Sequence, residues 1–255
     1  MQSNDLILKE EGKFKFVDVG EGQTMLLLHG LFGALSNFSD LINHFKNSYR
    51  VIIPILPIYD GPKEKSTLEG LLEYVEEFVA FKSLKNVIPI GNSLGGHLSL
   101  KYAVANPSNI IGLVLTGSSG LFEDSLGDTY PKKSDYKYIQ EKTALTFYDP
   151  EMATKALVDE IFEIVNNRDK AIRILYIARS AIRNNMAKEI PSIKVPTLLA
   201  WGKQDTITPP FVAEEFDKLL PNSTLEFIDK CGHAAMMEKP KAFNEVLERF
   251  MQTID

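Results

Sequence analysis

The 255-residue sequence has little cysteine and no excess of basic residues. Its single cysteine, Cys231, excludes an internal disulfide framework and fits a reducing compartment, so we expect a cytoplasmic protein. Lysine and arginine number 28 against 34 acidic residues, which gives a formal net charge of −6. Because nucleic acids bind basic surfaces, this balance argues against a nucleic-acid partner.

Long hydrophobic runs are also missing. The longest apolar stretches, such as 25–28 and 51–53, are far shorter than the roughly 20 residues of a transmembrane helix. The N-terminal stretch MQSNDLILKEEG carries acidic residues where a secretory signal has a basic segment, so we expect no membrane partner. The sequence shows no metal-ligand cluster and no phosphate-binding loop with its lysine, and we expect neither a metal nor a cofactor. Nothing in it indicates the oligomeric state.

Apolar runs alternate with helical patterns in both halves of the chain. Strands are expected at 14–19, 24–28, 51–55, 87–90, 110–116, 197–201 and 224–228. This alternation predicts an α/β fold with a mostly parallel central sheet flanked by helices. From about 121 to 190 the apolar spacing is helical and suggests no strand. We therefore predict an α/β core of residues 1–120 and 191–255, with a helical cap of residues 121–190 inserted into it.

One short motif points to chemistry. Gly91-Asn92-Ser93-Leu94-Gly95 matches G-x-S-x-G and lies between a predicted strand and a predicted helix. A nucleophile elbow requires that context, because small neighbours leave room for a strained serine at a tight turn. The alternative is a glycine-rich turn whose serine only caps the following helix. We predict that Ser93 is a nucleophile.

A nucleophilic serine needs a base and an acid that orients the base. His233 and Asp205 each follow a predicted buried strand, and parallel sheets bind their ligands at those strand ends. The remaining histidines lie in an earlier loop or on predicted helices: His29, His44 and His97. We predict that His233 is the base, that Asp205 orients it, and that the backbone N–H groups of Leu31 and Leu94 form an oxyanion hole.

The chain resembles the α/β-hydrolase superfamily over nearly its whole length, and four segments carry the resemblance. VDVGEGQTMLLLHG is similar to the family's opening strands and oxyanion loop, VIPIGNSLGG to its elbow, TLLAWGKQD to its acid loop and FIDKCGHAAMMEKP to its histidine loop. The resemblance implies the α/β-hydrolase fold, and the helical block resembles the family's cap. The loop 55–61, ILPIYDG, departs from the family's usual small-residue turn, which leaves its geometry open.

The triad supports acyl transfer, and we predict hydrolysis of a small to medium carboxylic ester through an acyl-enzyme. The substrate is then a small acyl compound in an apolar pocket. A non-catalytic, ligand-binding member of the fold is an alternative from another class, because fold does not prove turnover.

A carbon–carbon bond hydrolase of meta-cleavage-type diketone acids is the other alternative. Asn92 before the nucleophile and Asn37 after the oxyanion loop resemble that branch. Arg168 is a candidate partner for a substrate carboxylate, although a solvated arginine is the preferred interpretation. Ala234 argues against the branch, whose members commonly have tryptophan after the histidine. Met236, near the histidine, is a further candidate substrate contact.

Overall fold

A computed structural model describes residues 7–33, 35–122 and 132–254. Its strands are β1 (Lys9–Glu11), β2 (Phe14–Val19), β3 (Thr24–Leu28), β4 (Arg50–Pro54), β5 (Ile88–Asn92), β6 (Leu113–Thr116), β7 (Thr197–Gly202) and β8 (Ser223–Ile228). Its helices are α1 (Ser39–Phe45), α2 (Leu68–Phe81), α3 (Leu94–Ala105), α4 (Tyr136–Ala144), α5 (Lys155–Asn166), α6 (Arg168–Arg183), α7 (Pro210–Leu219), α8 (Ala235–Glu238) and α9 (Pro240–Met251).

The strands form one sheet in the order β1-β2-β4-β3-β5-β6-β7-β8. From β4 to β8 along this order, neighbouring strands are parallel, whereas β1 and β2 are antiparallel additions at one edge. The predicted α/β class, with a mostly parallel central sheet flanked by helices, is confirmed.

Helices cover both faces of the sheet, which explains why its central strands are apolar at successive positions. Along β3, Leu26 and Leu28 pack into the core on the side of α2 and α3. Met25 and Leu27 point to the opposite core, on the side of α1 and α9. Side chains alternate between the faces of a strand, so a strand buried on both faces must be apolar throughout.

The described residues between β6 and β7 form three α-helices, α4, α5 and α6, and no strand. Hydrogen bonds that include those of Ser180 and Thr146 fix this helical segment to the rest of the protein. Ser180 on α6 accepts a hydrogen bond from the backbone N–H of Leu68 at the start of α2 (3.0 Å). At the end of α4, the carbonyl of Thr146 accepts from the N–H of His233 (2.7 Å). Among the described residues, no helix has both the length and the apolar composition needed to cross a bilayer.

Candidate active site

Ser93 lies at the turn between β5 and α3 in a conformation that few residues adopt. Its φ is 56° and its ψ is −120°, close to the first central position of a type II′ turn. The turn requires a very close approach of the backbone, because a Cβ on Gly95 would lie 1.9 Å from the carbonyl oxygen of Leu28. The glycine of the motif is therefore a steric requirement, and the strained serine faces a cavity.

Asp205 and His233 are joined directly. Asp205 follows β7 and His233 follows β8, two neighbouring parallel strands. The Nδ1 atom of His233 lies 2.9 Å from Oδ2 of Asp205, and both residues are buried. The other carboxylate oxygen, Oδ1, accepts from the backbone N–H groups of Ile207 (2.8 Å) and Thr208 (2.9 Å). Asp205 is thus held as an acceptor and can orient the imidazole ring.

Thr208 belongs to this network, although the sequence analysis did not single it out. Its hydroxyl donates to Oδ2 of Asp205 (2.9 Å) and lies 3.2 Å from Nδ1 of His233. The sequence carried a local signal for it, since a threonine three residues after an aspartate is well placed to bond that side chain.

Two residues near the ends of β5 and β6, Asn92 and Gly117, lie against the histidine loop. The side-chain amide of Asn92 donates to the carbonyls of Thr116 (3.0 Å) and His233 (3.1 Å). Gly117 has a positive φ of 53°, and a Cβ there would lie 2.8 Å from Nδ1 of His233. The buried Asn92 therefore connects the serine turn to the histidine loop, and it also lines the cavity.

The two segments that carry the predicted oxyanion donors, Leu31 and Leu94, lie next to Ser93. A Cβ on Gly30 would lie 3.2 Å from the Cβ of Ser93, so the loop carrying Leu31 closely approaches the serine turn. Leu94 is the first residue of α3, and its backbone N–H has no acceptor within its own helix. Leu31 lines the cavity.

The loop that departs from the family pattern supports the Leu31 loop. The Nε2 atom of His29 accepts from the N–H of Leu56 (3.1 Å), which leaves the ring proton on Nδ1 to donate to the carbonyl of Gly30 (2.9 Å). The hydroxyl of Tyr59 donates to the carbonyl of Leu31 (2.7 Å). Burial lowers the pKa of His29 below its ordinary value. His29 is therefore a neutral, structural residue.

Ser93 and His233 line one cavity of about 440 Å³. Its walls are mainly apolar and come from the loop after β3, the helices between β6 and β7, and the histidine loop. The apolar lining residues include Phe32, Phe147, Leu157, Ile161, Ile174 and Met237. A pocket of this size and lining suits a small or medium organic ligand.

Residues 25–246 match the model of the alpha/beta hydrolase family. The chain belongs to the alpha/beta hydrolase family. A solved metagenomic alpha/beta hydrolase enzyme from lagoon sediments of Mar Chica, Morocco, is 43% identical, with a TM-score of 0.81. That match covers 97% of this chain and 98% of the other. The protein is a hydrolase.

Two further relatives of this alpha/beta hydrolase are named for different substrates. A monoacylglycerol lipase of Bos taurus is 25% identical, and the match covers 92% of this chain and 77% of that protein. A 2-hydroxy-6-oxo-6-(2'-aminophenyl)hexa-2,4-dienoic acid hydrolase of Metapseudomonas resinovorans is 29% identical, over 93% and 87% of the two chains. The relatives of this chain therefore include both a lipase and a dienoic acid hydrolase.

Two of the four candidate substrate contacts of this hydrolase line the cavity, and the other two do not. Asn37 and Asn92 line the cavity. Arg168 is exposed at the start of α6 and is not among the cavity-lining residues. Met236 is buried in the core, and the next residue, Met237, lines the cavity instead.

Glu238 anchors the histidine loop of the hydrolase to the segment after α4, a role that the sequence did not reveal. Its buried carboxylate accepts from the backbone N–H groups of Gly232 (2.6 Å), Asp149 (2.7 Å) and Tyr148 (3.2 Å). Burial, with the nearby carboxylates of Glu238 and Asp205, raises the pKa of Cys231 to about 12. Cys231 is therefore a protonated structural thiol.

We expect Glu238→Gln to lower the free energy of unfolding by about 1 to 3 kcal/mol, because an amide nitrogen replaces an acceptor and leaves at least one buried N–H unpaired. The hydrolase activity should fall as well, since the histidine loop loses an anchor. Urea unfolding and steady-state kinetics measure both effects. The matched control is Glu215→Gln, at an exposed glutamate on α7. Stability and turnover equal to those of the control would contradict this role for Glu238.

Proposed function

We propose that the protein is a serine hydrolase that cleaves a small to medium carboxylic ester through an acyl-enzyme. One observation carries the proposal: Ser93, on its strained turn, and His233, bonded to Asp205, line the same apolar cavity. Curated relatives that include a lipase support ester chemistry.

In the proposed mechanism, Ser93 Oγ attacks the ester carbonyl while His233 takes its proton. Asp205 holds the ring through Nδ1 and stabilises the imidazolium, which then protonates the leaving alcohol. The N–H groups of Leu31 and Leu94 stabilise the oxyanion of each tetrahedral intermediate, an effect of about 2.7–4 kcal/mol per donor. Water, activated by His233, releases the acid from Ser93 and restores the enzyme.

The helices between β6 and β7 act in this proposal as a cap, the domain that the sequence predicts at 121–190. Residues from α4, α5 and α6 supply part of the cavity wall, including Thr143, Ile161 and Ile174. Covering the site in this way excludes water and shapes the pocket around the acyl group.

Labelling with a fluorophosphonate tests the proposal. We expect one equivalent of probe on Ser93, located by peptide mass spectrometry, together with hydrolysis of p-nitrophenyl acyl esters. Ser93→Ala should lose both, whereas Ser108→Ala, at an exposed serine, should keep both. Absence of a label on Ser93, together with no ester turnover by the untreated protein, would overturn the proposal and favour a non-catalytic binding protein.

Carbon–carbon bond hydrolysis is the second candidate, favoured by the relative from Metapseudomonas resinovorans and by Asn37 and Asn92 in the cavity lining. The exposed position of Arg168, away from that lining, weakens it. The candidates separate when kcat/KM is compared for a p-nitrophenyl ester and a 2-hydroxy-6-oxo-dienoate. The ester should be preferred, and preference for the dienoate would reverse the assignment.

A further inference from the structure

The cavity wall contains one lysine, and no arginine, aspartate or glutamate, among the described residues that line it. This is Lys142, in the last turn of α4, whose side chain is exposed at the cavity. The other residues that α4 and α6 contribute to the wall are uncharged: Tyr138, Thr143, Ile174, Leu175 and Ala178. The protein has a formal net charge of −6, so a lone cation in an apolar pocket favours anionic ligands only close to that cation.

The surroundings of Lys142 leave its charge available to a ligand. Its Nζ atom lies 5.8 Å from the ring centroid of Tyr138, one turn earlier on α4 and also in the cavity wall. Within the described parts of the chain, no carboxylate lies within 4.0 Å of this ammonium group, whereas Lys137 on the same helix pairs with Glu141. An aromatic face orients an ammonium group without neutralising it.

The end of α4 that carries Lys142 is fixed close to the reacting residues. The N–H of His233 donates to the carbonyl of Thr146 (2.7 Å), and the hydroxyl of Thr206 donates to the carbonyl of Leu145 (3.0 Å). Lys142 lies four residues before Thr146, about one helical turn away. A chain bound along the aliphatic wall can therefore have its ester at Ser93 and its far end at Lys142.

We propose that Lys142 forms an anion subsite, and that the substrate is an ester whose acyl chain ends in a carboxylate, a monoester of a dicarboxylic acid. This inference rests on the proposed ester hydrolysis. A single ammonium group matches the single charge of a carboxylate. A doubly charged phosphate calls for more donors and is repelled more strongly by the net negative charge of the protein.

The test compares ethyl monoesters of straight-chain dicarboxylic acids, from adipic to sebacic acid, with ethyl esters of monocarboxylic acids of equal chain length. The readout is the ratio of kcat/KM for the anionic ester to that for its neutral partner. We expect Lys142→Met to lower this ratio about fivefold at the best chain length, the effect of losing one partly exposed ion pair. Lys142→Arg and the matched control Lys137→Met should retain it, and added salt should lower it in the wild type.

A purely structural Lys142 gives a different result. A cation in the last turn of a helix stabilises the helix dipole, so Lys142→Met would then lower the melting temperature and leave the ratio unchanged. That outcome overturns the subsite. If no ester is turned over, the proposed function fails, and calorimetry with monoethyl suberate then decides the subsite separately. Binding about fivefold tighter to Ser93→Ala than to Ser93→Ala/Lys142→Met supports it, and equal binding overturns it.

Discussion

Replacing Ser93 or His233 with alanine is expected to lower kcat for ester hydrolysis by on the order of 10⁵ to 10⁶-fold. In the proposed mechanism no acyl-enzyme forms without Ser93 Oγ, and nothing removes the serine proton without His233. The two side chains act in one step, so the double variant should be little slower than either single variant. KM should change little, since the cavity walls that bind the substrate are unaltered.

Steady-state kinetics and thermal unfolding measure these effects together. His44→Ala is the matched control, because His44 is exposed on α1 beside Glu248 (3.6 Å). We expect it to keep wild-type turnover. Turnover within about tenfold of wild type in Ser93→Ala would remove Ser93 from the mechanism. If the Ser93 and His233 variants fail to fold, fluorophosphonate labelling of Ser93 in the wild type tests its role instead.

Burial explains which parts of the fold were predictable from the sequence. The predicted bounds of β2 and β3 agree with the structure, because buried strands carry a clear apolar pattern. The strand β1 was missed because its residues Lys9–Glu11 are exposed and pair only along the sheet edge. The strand β6 begins at Leu113 instead of 110, since Ile110 makes only an isolated bridge to Val87 before the ladder resumes.

The positions of Ser93, Asp205 and His233 were predictable because each residue follows its own strand. Contacts between distant segments leave no such trace in sequence. Glu238 is 89 residues from Asp149, and its carboxylate accepts a hydrogen bond from the backbone N–H of Asp149. The sequence also does not show which side of the short helix α8 faces the cavity. Met236 was therefore predicted as a substrate contact, whereas Met237 lines the cavity.

The hydrogen bonds around Asp205 determine how an asparagine must sit in its place. One carboxylate oxygen accepts from two backbone N–H groups, those of Ile207 and Thr208. An amide NH₂ cannot replace that oxygen, because donors would then face donors. In Asp205→Asn the amide oxygen must therefore stay on the backbone, and the NH₂ group must point to Nδ1 of His233 and the Thr208 hydroxyl.

This forced orientation predicts a loss of activity of about 10⁴-fold in kcat for Asp205→Asn, smaller than the loss in Ser93→Ala. An NH₂ group facing Nδ1 requires a lone pair there, so the neutral ring carries its proton on Nε2 and has no acceptor for the Ser93 proton. Kinetics measure the loss, and the ring nitrogen resonances of His233 report which nitrogen carries the proton. Asp229→Asn, at an exposed aspartate after β8, is the control and should retain wild-type turnover. If Asp205→Asn keeps kcat within about tenfold of wild type with Nδ1 still protonated, Asp205 does not orient the base, because orientation is the function that the substitution removes.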